Sequence, residues 1–393
     1  MQIRDFLLGL AIGGVAMFFP RRRLGGGQDK GSELRETLYQ KYCRENGTRI
    51  AAIGGGTGLS TLLRGLKKYS SNLSAIVNVT DDGGSSGRLR EKLAILPPGD
   101  IRNCLLALAN TEPLLEKVFQ YRFDSIEGLH GHNLGNLFLA ALSDEFGFEE
   151  ALQVASRVLA VKGEVLPVTL ENVNLVASFV DGRVIRGESR ITAERGKICR
   201  LFLEPDTAQI YPAAAHAISE AEIVLVGPGS LYTSVLANLL VPGVAAAIRE
   251  SKAWKIYICN VMTQPGETDG YSAADHLQAI DDHVGSGIFD LVVVNNSLDI
   301  PVSILDNYRH EGSVPVLPDV ERLGKMGVGI LSGDLMSHHE LVRHDSEKLA
   351  KIVFSQDLAF RKGIDGKKNR SAFHRLLRRE RGVLDDIRPA GEK

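Results

Sequence analysis

The segment IAAIGGGTGLS, residues 50–60, constrains the fold of this chain more than any other. An apolar run passes directly into Gly54, Gly55, Gly56, Thr57 and Gly58, and then into leucines at helical spacing. This reads as a strand, a tight turn and a helix N-terminus. The first amide groups of a helix have no intrahelical partner, and a turn without side-chain bulk presents them to a phosphate. A dinucleotide fingerprint would require glycine where Leu59 stands, and a P-loop would require a following Gly-Lys-Ser/Thr, so neither standard motif is present. The alternative is a glycine turn without a ligand, which concentrates backbone entropy cost for no return.

Strands and helices alternate from residue 48 onward, with a strand at 50–53, a helix at 59–69 and a strand at 73–79. Helical periodicity fills 101–161, and short β-branched runs with Asp181-Gly182 between them predict a small β subdomain over 165–203. Buried-type strands return at 222–226, 255–259 and 291–294. The fold class is therefore α/β: a Rossmann-like, mostly parallel sheet with helices on both faces, a helical insertion and a small β subdomain. In such sheets ligands bind beyond the carboxyl ends of the strands, where strand order reverses.

Two further post-strand loops draw attention on that ground. TDDGGSSGRLR, residues 80–90, places Asp81, Asp82, Ser85, Ser86 and Arg88 in one loop. Arg88 suits bidentate phosphate binding, the serines and backbone suit a phosphate cradle, and Asp81 or Asp82 is available for ribose hydroxyls or Mg2+. A solvated acidic turn is the competing reading. GPGSLYTS, residues 227–234, repeats the logic: Gly227 and Gly229 allow close backbone approach, and Ser230 is placed to cap a helix. LPPGDIRN and HGHNLGN offer Asp100, Arg102, Asn103, His132 and Asn133 at helix starts, either as ligand contacts or as caps.

Composition excludes several classes. The chain has 393 residues, a net charge of -2 and 44% hydrophobic residues, so it has no global basic field that would favour nucleic acid. Cys43, Cys104, Cys199 and Cys259 have no metal spacing and read as reduced thiols, the last three as packing residues. No Ser/His/Asp order, Cys/His pair or HExxH appears, which leaves hydrolase and metal catalysis without support; His276 and His283 lack a third ligand. The domain reading is an apolar N-terminal segment and linker at 1–47, a Rossmann-type domain at 48–343, and a basic, flexible or partly helical tail at 344–393. Between Arg361 and Arg381 nine Lys/Arg face only Asp365 and Glu380. The apolar run 6–19 precedes Arg21, Arg22 and Arg23 and is short of the ~20 residues of a membrane span. It reads either as a marginal or interfacial anchor with its positive flank in the cytoplasm, or as a hydrophobic appendage. The expected location is cytoplasmic, with attachment to the inner membrane face as the variant.

The motifs GGGTGLSTLLRGLK, NVTDDGGSSGRLR, LPPGDIRNCLLALA, HNLGN, VGPGSLYTSVLANLLVPGV and ICNVMTQPGETDGYSAADH, in this order, resemble the YvcK branch of the CofD-like family. The resemblance covers about residues 48–341. It implies a Rossmann-like core that binds a nucleotide sugar, UDP-N-acetylglucosamine, in a factor for gluconeogenic growth, cell shape and peptidoglycan precursor supply. It also implies a regulated protein partner, and a homo-oligomer is expected. Tyr271 resembles the family's tyrosine at the nucleotide-sugar site, and Arg309, in the less distinctive DNYRHEG, its arginine partner. The other branch of the family consists of 2-phospho-L-lactate transferases, which implies as the alternative an enzyme acting on a nucleoside-diphosphate-linked substrate.

Overall fold

A computed structural model describes residues 47–110, 113–337 and 342–361. Ten strands follow in chain order: β1 Ile50–Gly54, β2 Leu73–Val77, β3 Glu164–Pro167, β4 Asn174–Phe179, β5 Val184–Arg186, β6 Ile198–Glu204, β7 Ile223–Val226, β8 Trp254–Ile258, β9 Leu291–Asn295 and β10 Gly329–Gly333. Seven of them form one sheet in the order β10-β9-β8-β7-β1-β2-β3, and every pairing in it is parallel. β1, β7 and β9 are buried at every position, which explains why they read as continuous apolar runs rather than alternating ones.

A second, antiparallel sheet has the order β5-β4-β6. Its first hairpin turns at Asp181-Gly182, where Gly182 has φ +88°, the left-handed conformation that glycine adopts without steric cost. Residues 165–167 do not belong to this subdomain as the sequence suggested. They form β3, the edge of the main sheet, paired in parallel with β2. A short apolar run does not specify which sheet will bury it.

Three further differences bear on the site. Residues 84–93 are not loop: a helix spans Gly84–Leu93 despite two glycines and two serines, weak helix formers, because Ser85, Ser86, Leu89 and Arg90 gain a buried face. The domain boundary at 343 falls inside the folded body. The helix Ser346–Arg361 buries Leu349, Ala350 and Val353 and packs across the helix Gly56–Leu66. A Cβ on Gly65 would lie 1.9 Å from the Ser346 carbonyl oxygen, so this crossing requires glycine there. Third, β10 and the helices Val302–Glu311 and Val320–Lys325 form inside the expected domain, 48–343, where the sequence pattern was assigned no element. Cys104 and Cys259 are buried, whereas Cys199 faces outward from β6 rather than packing. The apolar run 6–19, Cys43 and the basic stretch beyond 361 lie outside the described residues. Among the described residues no single helix is long and apolar enough to cross a membrane.

Candidate functional site

β1 is flanked by β2 on one side and β7 on the other, so strand order reverses between β1 and β7. The turns that leave these two strands therefore meet above the sheet, at the place where doubly wound folds hold ligands. The meeting is close. A Cβ on Gly58 would lie 2.4 Å from the Pro228 carbonyl oxygen, and one on Gly229 would lie 3.5 Å from the Gly55 oxygen. Gly56 and Gly227 have φ of +61° and +84°, and a Cβ on Gly227 would lie 2.7 Å from the Ile258 oxygen. The Gly54 oxygen accepts from the Asn78 amide and from Asn238 Nδ2, each at 3.0 Å. The glycines thus serve loop-to-loop packing as well as access.

Asn260, which lies in the ICNVMTQPGETDGYSAADH segment but was not singled out as a site residue, fixes the second turn. Its Nδ2 donates to the Gly229 oxygen at 2.8 Å, and its Oδ1 accepts from the Gly229 amide at 3.2 Å. Ser230 does not cap the π-helical turn Leu231–Leu236 as expected; its hydroxyl donates to Gln264 Oε1 at 2.6 Å. Between these turns and residues 342–344 lies a cavity of about 200 Å³, lined by Thr57, Gly58, Gly229, Ser230, Met262 and His344 among others. Burial lowers the His344 pKa to about 4 and leaves its Nε2 without a partner, so the imidazole is neutral.

The loop after β8 adds a second cluster. Gln264 Nε2 donates to Glu267 Oε1 at 2.8 Å, and Thr192 from the small subdomain donates to the same oxygen at 3.2 Å. Burial pushes the Glu267 pKa up to about 7. The hydroxyl of Tyr271 pairs with that of Tyr232 at 2.9 Å, and its ring stands edge-on to His276. Tyr232 lies in the π-helical turn immediately after Ser230, so Tyr271 is tied to the β7 turn. Arg309 lies on the exposed side of its helix with Asp306 as ion-pair partner at 3.3 Å.

On the β2 side the carboxylates are already engaged. Asp81 accepts from the Gly83 amide and Asp82 from the Ser189 amide, each at 2.9 Å. Asp100 comes from the helix Pro98–Leu108; a Cβ on Gly55 would lie 2.6 Å from its Oδ2. Burial, then the neighbouring Asp81, raise the Asp100 pKa to about 6, opposed by the Gly56 amide. Glu188, which accepts from Thr80 Oγ1 at 2.7 Å, is also pushed well up by burial. Glu188 lies in no sequence motif, whereas LPPGDIRN offers Asp100 as a ligand contact or a cap. Among the described residues no three His, Cys, Asp or Glu side chains could hold a metal ion. A Mg2+ at Asp81 or Asp82 would need oxygens from a bound phosphate to complete its shell.

Three of the expected contacts have internal partners. Asn133 caps the helix Leu134–Phe146: its Oδ1 accepts from the Gly135 and Asn136 amides and its Nδ2 donates to the Gln120 oxygen. The buried Ser85 hydroxyl meets His132 Nδ1 and Asn136 Nδ2, both at 3.1 Å. Ser86 Oγ would lie 2.4 Å from a Cβ on Gly99 and so packs against that helix start. Nor does the structure place Arg88 at the glycine turns. It projects from the helix Gly84–Leu93 into a separate cavity of about 890 Å³, which shares no lining residue with the one at Gly58.

A parallel sheet with two glycine turns meeting at its switch point defines a doubly wound α/β protein, with those turns in place of the standard dinucleotide fingerprint. Residues 50–336 match the family described as 2-phospho-L-lactate transferase CofD, and the chain belongs to that family. A relative from Nostoc sp. is 52% identical over 82% of this chain and 71% of its own length. The Bacillus subtilis protein named "Gluconeogenesis factor" is 48% identical over 78% of this chain and 96% of its own. A crystal structure of a UPF0052-family protein from Bacillus halodurans superposes with a TM-score of 0.75 at 48% identity, covering 78% of this chain and 98% of that one. These relatives place the chain on the YvcK-like branch.

Proposed function

We propose that this chain is a nucleotide-sugar-binding regulatory protein, with UDP-N-acetylglucosamine as its ligand, that supports growth on gluconeogenic carbon, cell shape and peptidoglycan precursor supply. The observation that supports this reading is the contact of the Gly58 and Pro228 turns at the strand-order reversal, beside one cavity of about 200 Å³ lined by both. A diphosphate lying across the two turns would meet their remaining amides, while Ser230, Gln264 and Tyr271 offer polar groups to a sugar. The name carried by the relatives, "Gluconeogenesis factor", supports the gluconeogenic part alone. Regulation requires that the ligand bind two conformations with different affinity. The Tyr232–Tyr271 and Thr192–Glu267 bonds, which join the crevice to the β8 loop and the small subdomain, are the elements through which a bound ligand would reach a partner protein or a second copy of the chain.

Calorimetric titration of the full chain with UDP-N-acetylglucosamine, GDP and NAD, each with and without Mg2+, tests the reading. Saturable binding of the UDP-sugar in preference to the others supports it, and equal or absent binding refutes it. The family description favours one second reading, a transferase that orients a diphosphate leaving group over the same turns. Turnover of a nucleoside-diphosphate-linked phospholactate would establish that reading.

A further inference from the structure

We propose that the cavity between the helix Gly84–Leu93 and the loop 121–133 is a second ligand site, separate from the crevice, for a small phosphorylated molecule. Two guanidinium groups converge there. Arg88 Nη2 donates to the His130 oxygen at 2.8 Å, and Arg122 Nη1 donates to the Gly131 oxygen at 2.7 Å. Consecutive carbonyls thus anchor both guanidinium groups on the lining of one cavity. Each guanidinium has five N–H donors, and each of these two spends one on a recorded bond. Among the described residues neither has a carboxylate partner, so most of their donors remain for an oxyanion, which arginine pairs bind bidentately.

The surrounding charges leave this pair uncompensated. Arg90, on the same wall, is consumed by Asn172, Asn174 and the Thr80 and Val173 oxygens. Its charge is felt most strongly by Asp82, whose own Oδ1 is bound to Ser189. Glu91, the remaining acid of the lining, is exposed, as is Arg122, so the lining sets three arginines against two acids. Arg88 and Lys92 add to burial in lowering the His132 pKa, and Arg122 adds to burial in lowering that of Arg102, as a local positive field requires.

The backbone is shaped for the same purpose. Gly131, with φ +74°, would place a Cβ 3.1 Å from Arg88 Nη2, and Gly84, with φ +48°, has open space where a side chain would stand. This accounts for the HGH segment, which the crevice does not use. The cavity, at about 890 Å³, is open to solvent and has room for a small molecule.

Inorganic pyrophosphate is the probe, titrated calorimetrically into the full chain with and without saturating UDP-N-acetylglucosamine. Pyrophosphate should bind in both cases. Arg122→Ala and Arg88→Ala should each weaken it about tenfold or more, the loss of charge-assisted bonds, with Arg122→Lys retaining part. Arg122→Ala should leave affinity for the nucleotide sugar unchanged, and circular dichroism should report an intact fold. No pyrophosphate binding, binding abolished by the nucleotide sugar, or binding indifferent to both arginines would overturn the proposal. If the nucleotide sugar itself does not bind, the crevice reading fails while the pyrophosphate arms still decide this one.

Discussion

The Asp100 carboxylate stands over Gly55 so closely that a Cβ on Gly55 would lie 2.6 Å from Oδ2. The protein thus keeps a carboxyl group of its own beside the turn proposed to receive a phosphate. Burial and then Asp81 raise its pKa to about 6, above that of an unfolded aspartate. A raised acid is more protonated in the folded than in the unfolded state, so its favourable contribution is complete below the unfolded pKa and is lost as pH rises through about 6. His344 runs the other way: its folded pKa of about 4 means that stability present above the ordinary imidazole range is lost on acidification. The two trends oppose each other in the wild type, and a variant separates them. The Tm of Asp100→Asn relative to wild type should therefore climb as pH is raised from about 4 to 7 and level off beyond. A difference that does not vary with pH would remove Asp100 from the titrating groups.

The same carboxylate sets a ligand expectation. An ionised Asp100 repels an incoming phosphate at the Gly54–Gly58 turn, and a protonated one does not. UDP-N-acetylglucosamine should bind more tightly at pH 5.5 than at pH 7.5, and Asp100→Asn should flatten that dependence. Titration calorimetry at both pH values checks this.

Gly58 and Gly56 predict a contrast within one turn. Alanine at 58 would drive its Cβ to 2.4 Å from the Pro228 oxygen, backbone against backbone, so the two turns must part. Alanine at 56 meets no atom within 4 Å and bears only the left-handed conformation, about 1–2 kcal/mol. Gly58→Ala should cost at least as much, about 1–3 kcal/mol by the scale of overpacked sites, and should also abolish nucleotide-sugar binding. Urea denaturation with ligand titration separates the two effects.

How much of this was legible in sequence follows from how local each feature is. The strand, turn and helix of residues 50–66 are adjacent in the chain, and their identity could be read directly. That the β1 and β7 turns touch depends on strand order, which motif position suggests but does not encode. Asn260 sits at the end of β8 within the ICNVMTQPGETDGYSAADH segment, and its role appears only because β8 lies beside β7. Ser85 and Asn133 misled for a physical reason: a small polar residue at a helix start serves a cap as readily as a ligand, and only the return of the 120–136 segment decides which. Arg88 was read as part of a loop facing the phosphate. The helix at Gly84–Leu93 turned it instead toward His130.

Tyr232 and Tyr271 provide a closed thermodynamic test. The Tyr232 phenol is buried, and its 2.9 Å bond to the Tyr271 hydroxyl joins the turn after β7 to the loop after β8. Tyr271→Phe removes one partner and strands a buried hydroxyl, which costs about 1–3 kcal/mol. Tyr232→Phe removes the buried group itself and leaves the half-exposed Tyr271 hydroxyl to water. It should cost less, and the double variant should cost less than the sum of the two singles. If the pair also transmits ligand occupancy, nucleotide-sugar affinity should fall in Tyr271→Phe and fall no further in the double variant. Strict additivity in both stability and affinity would show that the two hydroxyls act separately.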